Sequence, residues 1–549
     1  MFRSFVILAV LLAQIVGGEL VGPSVWPQPT AASYGVESVA ISPKLAYVLS
    51  SGSVRKRRDV AEVPTLDKAF TRYEQLMFPH SVSEDNIPSS ITTVRVDVTS
   101  LSEAYPQLDT DESYELSIPS VSEASGDIEL RAATVYGALR GLETLSQLVF
   151  YDFSSDGGYL VWPATISDTP RYAHRGMLLD TARHFQGIPQ LRRTIDALSY
   201  AKYNVLHWHA VDDQSFPLRS EAYPRLWEGS FSAQERYSRG DIADLVEYGR
   251  ERGVRLMLEF DMPGHASSWC AGYPEICPSP TCLTPLNPAS NETFPLIDGL
   301  IREFTSSADE GNVRNEALFP YELFHLGGDE VSYTCWQRSD EVQAWEADMD
   351  FDGTASERSE QTYEYFVDKV ANITRAAGRT PVQWVEVYEH FGSKLDPATV
   401  VHVWKAKDTM NSVLQDGYRV ILSDNDKWYL DHTTTSWREM YDNEPTAGLT
   451  DPDTAKNIIG GESCMWGETV DASDLDNTVW PRAAAVSERL WTSLDVISAE
   501  AEATNSVEDR LETFRCMLNA RGIGAAPVKN RQARNAPPNP GSCYTQRRF

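Results

Sequence analysis

Two adjacent carboxylates, Asp329 and Glu330, have the residue types and the spacing that acid–base chemistry uses. They lie in the segment HLGGDEV, at the end of a short apolar run. On an extended strand, neighbouring side chains point to opposite faces, so the two acids would have different surroundings and different pKa values. A general acid and a charged partner require such a difference. The segment therefore predicts a catalytic site.

Polar and aromatic side chains also follow other short apolar runs of the chain. Three of these are tryptophans: Trp384, Trp404 and Trp466. Tryptophan faces cover the apolar faces of sugar rings, while carboxylates and arginines bind the hydroxyls at the ring edge. Carbohydrate is therefore the predicted class of substrate.

Eight short apolar runs, separated by connections long enough for helices, must position these side chains. We predict strands over residues 176–181, 204–209, 254–260, 323–327, 382–387, 400–404, 419–422 and 458–465. This alternation indicates an α/β fold, a (β/α)₈ barrel. Barrel enzymes carry the active site at the carboxyl ends of the strands, where residues distant in sequence converge.

A smaller α+β domain is expected before the barrel. Residues 19–172 combine alternating strands, at 93–98 and 115–118, with amphipathic helices at 66–77 and 132–150. Residues 173–549 would form the catalytic barrel and a C-terminal tail. A length of 549 residues, 42% of them hydrophobic, suits two folded domains. The net charge of −31 argues against nucleic acid or an anionic membrane as a partner.

Residues 1–18 are expected to be a signal peptide. Arg3 precedes an apolar run from Phe5 to Val16, and two glycines suit a cleavage site. A membrane-anchored N-terminus is the alternative, but the run is short for a bilayer. No other run is long enough, so we expect no transmembrane span. The protein would enter the secretory pathway and reach a lysosome or vacuole, or the extracellular space.

Two glycosylation sequons, at Asn291 and Asn372, agree with export. The basic cluster Arg55–Arg58 could be a processing site, although a solvated loop is the favoured interpretation.

Seven cysteines in an exported chain allow three disulfides and one free thiol. Cys464 lies inside an apolar run and is expected to be the free, buried thiol. The sequence does not fix the pairing of the others. We predict the pairs Cys282–Cys335, Cys516–Cys543 and Cys270–Cys277, and no metal site.

Five segments in barrel order resemble a known family. They are HRGMLLDTARHF, NVLHWHAVDDQSFP, EFDMPGH, HLGGDEV and CMWGE. They are similar to motifs of the family-20 glycoside hydrolases, the β-N-acetylhexosaminidases, and the segments SYELSI and TVYGALRGLETLSQL extend the resemblance into the first domain. This family is a substrate-assisted exception among glycosidases.

The resemblance implies a role for each carboxylate. Glu330 would be the general acid and then the general base. Asp329 would orient and stabilise the 2-acetamido group of the substrate, which acts as the nucleophile. Tyr429 would hydrogen-bond the oxygen of that group. The implied activity is retaining, exo-acting removal of terminal N-acetylglucosamine or N-acetylgalactosamine from glycans, glycoconjugates or chitooligosaccharides, without a cofactor.

Other roles carry over from the resemblance in the same way. Substrate-binding residues would be Arg183, Trp384, Trp404, Asp431, Trp466 and Glu468. Asp212, Asp261 and His265 would support Glu330 and raise its pKa towards the working pH. His207, His209 and Arg175 are expected to be structural, and a homodimer is plausible by analogy.

Asp431 also bears on the choice of sugar. An acid at this place suits neutral sugars, whereas the following His432 leaves weak binding of anionic sugars open at low pH. The alternative to an enzyme is a carbohydrate-binding or adhesion protein that keeps the fold with weak catalysis. A substrate-assisted chitinase is a further alternative, but its DxxDxDxE pattern is not found in the sequence.

Overall fold

A computed structural model describes residues 23–50, 63–82, 91–123, 126–153, 157–306, 317–405, 407–501 and 506–528. The expected signal peptide, the cluster Arg55–Arg58 and Cys543 lie outside these ranges. Across the described part of the chain, no helix has the length and hydrophobicity needed to cross a membrane.

An eight-stranded mixed sheet forms the N-terminal part. Its strands are β1 (Ala31–Tyr34), β2 (Val39–Ser50), β3 (Ile91–Ser100), β4 (Tyr114–Ile118), β5 (Ile128–Thr134), β6 (Val149–Tyr151), β7 (Tyr159–Val161) and β8 (Ala164–Asp168). Their order in the sheet is β1-β8-β4-β5-β3-β2-β7-β6. Two helices, α1 (Pro64–Met77) and α2 (Val135–Leu148), share its hydrophobic core. The helix predicted over 132–150 is shorter, because its ends belong to β5 and β6.

A closed barrel of eight parallel strands follows, as the sequence predicts. Its strands are β9 (His174–Asp180), β10 (Val205–His209), β11 (Arg255–Glu259), β12 (Leu323–His325), β13 (Thr380–Trp384), β14 (Val400–Val403), β15 (Arg419–Leu422) and β16 (Ile458–Met465). The barrel closes where β16 pairs with β9. These strands are covered on both sides, which explains their nearly continuous apolar sequences.

Helices surround the barrel and fill its connections. They are α3 (Ile188–Tyr200), α4 (Arg239–Arg250), α5 (Trp269–Gly272), α6 (Thr293–Thr305), α7 (Thr334–Arg338), α8 (Asp340–Asp348), α9 (Ala355–Ala376), α10 (Val385–Phe391), α11 (Lys407–Gln415), α12 (Asn425–Trp428), α13 (Trp437–Tyr441), α14 (Leu475–Val479), α15 (Arg482–Trp491), α16 (Leu494–Ala501) and α17 (Ser506–Ala520). The strand predicted over 382–387 was wrong at its end. Val385 and Val387 are apolar because they are buried in α10.

Two predicted disulfides are present in the structure. Cys270 bonds to Cys277, and Cys282 bonds to Cys335. Cys464 is a buried free thiol, as expected. Cys516 is also disulfide-bonded, and its predicted partner lies outside the described residues. The sequon residues Asn291 and Asn372 are both exposed.

A buried ion-pair network joins the N-terminal sheet to the barrel. The carboxylate of Glu112 accepts hydrogen bonds from Arg140 at 2.8 Å, from Arg175 at 2.6 Å and from Asn204 at 2.6 Å. Burial disfavours the charged acid, but the two guanidinium groups outweigh it and lower the pKa of Glu112 to about 2. Arg175, expected to be structural, thus ties β9 to the first domain.

We predict that Glu112→Gln lowers the free energy of unfolding by about 3 to 5 kcal/mol, because it leaves two buried guanidinium groups without their anion. The pKa of Glu112 is depressed from 4.5. Its contribution is therefore present above that value and is lost as the pH falls towards 2. Denaturant titrations at about pH 6 and about pH 3 should show the larger loss at the higher pH.

Glu115→Gln is the matched control, since Glu115 is an exposed acid of the same domain, on β4. Equal unfolding midpoints for the wild type and Glu112→Gln would contradict the stabilising role of the network.

Candidate active site

The segment 326–330 leaves β12 at the carboxyl end of the barrel. Gly327 and Gly328 have φ angles of 65° and 99°, and Glu330 has a φ of 50°. A Cβ on Gly327 would lie 1.8 Å from Oδ1 of Asp261, so only glycine fits there. The amide of Gly328 donates to the same oxygen at 3.0 Å. These contacts fix the turn that presents the two acids.

The expectation that Asp329 and Glu330 point to opposite faces, as neighbours on an extended strand do, was wrong. The strand ends at His325, and both carboxylates turn towards one imidazole. Nε2 of His265 lies 3.7 Å from Oδ2 of Asp329 and 3.5 Å from Oε2 of Glu330. Their exposure nevertheless differs: the side chain of Asp329 is 13% exposed and that of Glu330 is 64% exposed.

Asp329 has an unused hydrogen-bond acceptor. Its Oδ1 is buried and has no hydrogen-bond partner among the residues that the structure describes. A buried carboxylate oxygen without a partner is costly, and it favours a ligand that brings a donor. Oδ1 of Asp431 is in the same situation.

His265 is held in place by Asp212. Nδ1 of His265 lies 3.3 Å from Oδ1 of Asp212, while Oδ2 of Asp212 lies 2.7 Å from the guanidinium of Arg183. Arg183 also contacts Asp180 at 2.9 Å. The structure therefore brings the predicted residues Arg183, Asp212 and His265 together next to the two acids.

The pKa of Glu330 is lowered, which contradicts the expectation that its surroundings raise it. The hydrogen bond with His265 is the main cause, and it outweighs the opposing effect of burial. The charges of His265, Arg183 and Lys405 act in the same direction. Sequence reasoning identified His265 as a neighbour but did not foresee that it is a cation.

His265 is cationic because acids surround it. Burial disfavours the imidazolium, but hydrogen bonds with Asp212 and Glu330 and the charges of Asp261 and Asp329 raise the pKa of His265 well above its usual value. Burial and the charge of Asp329 raise the pKa of Asp261 well above its usual range. The carboxyl groups around His265 therefore differ in how readily they ionise.

An aromatic cluster lies beside the acids. Trp384 is buried and stacks on His402, with ring centroids 4.2 Å apart, and Trp404 and Trp466 are partly exposed. Tyr429 lies between Trp404 and Trp466, with centroid distances of 6.3 and 6.1 Å. Burial raises the pKa of Tyr429 well above its usual value, so its hydroxyl remains a donor.

The remaining predicted residues lie at the rim of this cluster. Glu468 is 3.8 Å from the guanidinium of Arg183, and Arg183 covers the ring of Trp466. Asp431 lies 3.8 Å from Nε2 of His432. Burial raises the pKa of Asp431.

Sequence reasoning missed Glu386. Its carboxylate accepts from Nε1 of Trp404 at 3.0 Å and contacts Nζ of Lys405 at 3.1 Å. Burial, reinforced by the charge of Asp329, raises the pKa of Glu386 to about 7. The sequence does not indicate a role for Glu386, because its segment was predicted to be the end of a strand and is in fact the start of α10.

Glu259 and Glu462 were missed as well. Both are fully buried, and Glu259 accepts from Nε1 of Trp384 at 2.9 Å. An acid within an apolar barrel strand was the signal that could have found them, since such an acid needs a buried partner.

Three buried histidines, His207, His325 and His402, bring ring nitrogens within 4.8 Å of one another. The carboxylate of Glu462 lies 2.8 Å from Nδ1 of His207, and that of Glu259 lies 3.1 Å from Nε2. Because carboxylates already face both nitrogens of His207, we interpret this group as a hydrogen-bonded network and not as a metal centre.

The chain matches two descriptions of protein families. Residues 172–494 match "Glycosyl hydrolase family 20, catalytic domain", and residues 25–148 match "beta-acetyl hexosaminidase like". The two matches correspond to the barrel and to the N-terminal sheet.

Similar curated proteins extend over nearly the whole chain. Beta-hexosaminidase 1 of Arabidopsis thaliana is 40% identical over 95% of this chain and 94% of its own length. The beta-hexosaminidase subunit beta of Homo sapiens is 35% identical over 92% of this chain and 89% of its own length.

Solved structures share the fold. A chitobiase of Flavobacterium johnsoniae superposes with a TM-score of 0.72 at 26% identity, covering 91% of this chain and 73% of that one. An exo beta-N-acetylglucosaminidase of Vibrio harveyi, solved with N-acetylglucosamine, gives a TM-score of 0.75 at 20% identity, over 94% of this chain and 80% of that one. With its barrel, its paired acids and these matches, the chain belongs to glycosyl hydrolase family 20.

Proposed function

We propose that this glycoside hydrolase is an exo-acting β-N-acetylhexosaminidase that uses the acetamido group of its substrate as the nucleophile. The buried, unpartnered Oδ1 of Asp329, next to the exposed acid Glu330, carries this proposal. An acetamido N–H is a donor of the kind that this oxygen lacks. The hexosaminidase relatives support the same substrate class.

In the first step, Glu330 gives its proton to the glycosidic oxygen as the bond to the anomeric carbon breaks. The acetamido oxygen attacks the anomeric carbon and closes an oxazolinium ring. Asp329 accepts the N–H of that group and balances the positive charge that develops on it. Holding the nucleophile within the substrate can lower the barrier by about 7 to 11 kcal/mol.

In the second step, the Glu330 carboxylate takes a proton from water, whose oxygen attacks the anomeric carbon. The oxazolinium ring opens, the acetamido group is restored, and the anomeric configuration is retained because two displacements have occurred. Glu330 ends protonated, ready for another cycle.

The aromatic cluster and the hydroxyl of Tyr429 would aim the acetamido group. Tyr429 keeps its proton and can donate to the acetamido oxygen, while Trp384, Trp404 and Trp466 would enclose the ring and the methyl group. This enclosure is consistent with a terminal sugar.

Charged residues at the rim of the aromatic cluster would bind the sugar hydroxyls. Arg183 would bind the 3- and 4-hydroxyls, Glu468 the 4- and 6-hydroxyls, and Asp431 the 6-hydroxyl through its unpartnered Oδ1. An anion at that position disfavours a 6-sulfated sugar, so we expect neutral sugars to be preferred.

We also propose that the protein acts in a lysosome, a vacuole or the extracellular space. Two disulfides and two exposed sequon asparagines, Asn291 and Asn372, support an oxidising secretory route. Assembly into a homodimer stays a prediction.

We predict that the wild type hydrolyses a 4-nitrophenyl N-acetyl-β-glucosaminide and that two substitutions impair it differently. Glu330→Gln removes the proton donor, so kcat/KM should fall about 100- to 10,000-fold with poor leaving groups and much less with good ones. Asp329→Asn should impair all leaving groups similarly, because it weakens the nucleophile. Steady-state kinetics over a series of aryl leaving groups measure both effects.

Glu37→Gln, a change of an exposed acid in the N-terminal part, is the control and should leave the rates unchanged. A folded wild-type protein without turnover would refute the enzyme and leave a carbohydrate-binding protein. Parallel leaving-group dependences for the two variants would refute the division of roles.

We predict that His265→Gln moves the falling limb of the kcat/KM–pH profile to higher pH by about one unit. Glu330 must be protonated to act, so kcat/KM falls as the pH rises through its pKa. The His265 cation lowers that pKa, and its removal raises it. Profiles with a neutral substrate measure the shift, even where the maximal rate is reduced.

His390→Gln is the matched control, since His390 is an exposed histidine whose carboxylate neighbour is Glu360. A limb that stays in place, or moves to lower pH, in His265→Gln would contradict this account of the site.

A further inference from the structure

The interior of the barrel holds a group of buried ionisable side chains. Five of the ten histidines of the chain are buried there together with Glu259 and Glu462: His174, His207, His209, His325 and His402. The proposed catalytic steps use none of these residues. Burying so many ionisable groups is costly unless they are paired. One of the partners of His209, Asp212, belongs to the candidate active site.

His209 links the interior to the candidate active site. Its Nδ1 lies 2.5 Å from Oε2 of Glu259, and its Nε2 lies 2.9 Å from Oδ2 of Asp212. Asp212 contacts His265 with its other oxygen, and His265 contacts Glu330. We call Glu259, His209, Asp212, His265 and Glu330 the acid–imidazole chain. Carboxyl groups and imidazoles alternate along it, so neighbouring members can carry opposite charges.

We propose that His209 and Glu259 are positioning residues that, through Asp212 and His265, control when Glu330 carries its proton. This inference rests on the proposed role of Glu330. Neither residue touches the substrate. His209 fixes one oxygen of Asp212 so that the other faces His265, and Glu259 holds His209 in its charged form.

The charges around His209 support this assignment. Glu259 faces it from β11, Asp212 from the loop after β10, and Asp180 from β9. Burial disfavours the imidazolium of His209, but these acids raise its pKa well above its usual value. The rings of His209 and Trp466 pack in a T-shaped contact, with centroids 5.0 Å apart, so the His209 ring is also fixed sterically.

The next link is also fixed from several sides. His209, His265 and Arg183 face Asp212, and together they outweigh its burial and hold its pKa well below its usual range. His265 in turn faces Asp261, Asp329 and Glu330, and Arg183 and Lys405 add positive charge near Glu330. Removing the charge of His209 should leave the carboxylate of Asp212 less well oriented and weaken its contact with His265. The pKa of Glu330 should then rise.

His207 provides a matched comparison on the same strand. It is as deeply buried as His209 and also faces two carboxylates, those of Glu259 and Glu462. His207 therefore shares Glu259 with His209, but it does not contact Asp212 and has no link onward to His265. A role in stability alone would make the two histidines equivalent, whereas the acid–imidazole chain distinguishes them.

The test compares kcat/KM–pH profiles of the wild type, His209→Gln and His207→Gln with a neutral chromogenic N-acetylglucosaminide. We expect the falling limb of His209→Gln to move to higher pH by about 0.5 to 1 unit and that of His207→Gln to stay within about 0.2 unit. Circular dichroism and thermal melting check that each variant is folded. His209→Asn, a smaller change at the same position, replaces His209→Gln if the latter does not fold.

A double variant tests whether the effect passes through His265. In the His265→Gln background, His209→Gln should move the limb no further, since the connecting residue is gone. Equal shifts in both backgrounds, an unmoved limb in the single variant, or equal shifts for the His209 and His207 variants would overturn the inference. An inactive wild type would instead refute the proposed function itself.

Discussion

The contact of one imidazole with two carboxylates is the interaction on which the rest of the site depends. Nε2 of His265 lies 3.7 Å from Asp329 and 3.5 Å from Glu330, so both acids lie next to the charge of this imidazole. A cation there favours the ionised form of Glu330. Catalysis by Glu330 must work against that preference, which ties its activity to acidic conditions. The same cation lies beside Asp329, whose carboxylate accepts the acetamido N–H in the proposed mechanism.

The barrel supplies the rigidity that this contact requires. His265 follows β11, Asp212 follows β10, and the acids follow β12, so three consecutive strands set their spacing. The turn at Gly327 and Gly328 packs against Asp261, leaving no room for a side chain. The Glu112 network anchors β9 to the first domain from the other end of the barrel. The first domain thus stabilises the barrel without contributing any of the proposed catalytic residues.

The fold could be predicted from the sequence because the apolar strands are short, nearly continuous and separated by helix-length segments. The errors have physical causes. The apolar residues Val385 and Val387 were predicted to continue a strand, but they are apolar because they are buried in a helix. The orientation of Asp329 and Glu330 depends on two glycines with positive φ angles. The lowered pKa of Glu330 depends on a charge that acids remote in sequence induce on His265. The residues of the site could therefore be named from motifs, but their charge states required the structure.

In the proposed mechanism, Asp329 orients and stabilises a nucleophile that the substrate carries. The most direct measurement is kcat/KM for 4-nitrophenyl glucosaminides whose N-acetyl group carries zero, one, two or three fluorine atoms. Fluorine withdraws electrons from the acetamido oxygen, so our account predicts a steep, progressive fall in kcat/KM along the series. A constant kcat/KM across the series would contradict it, because a nucleophile from the protein or from water would not sense the fluorine atoms in this way.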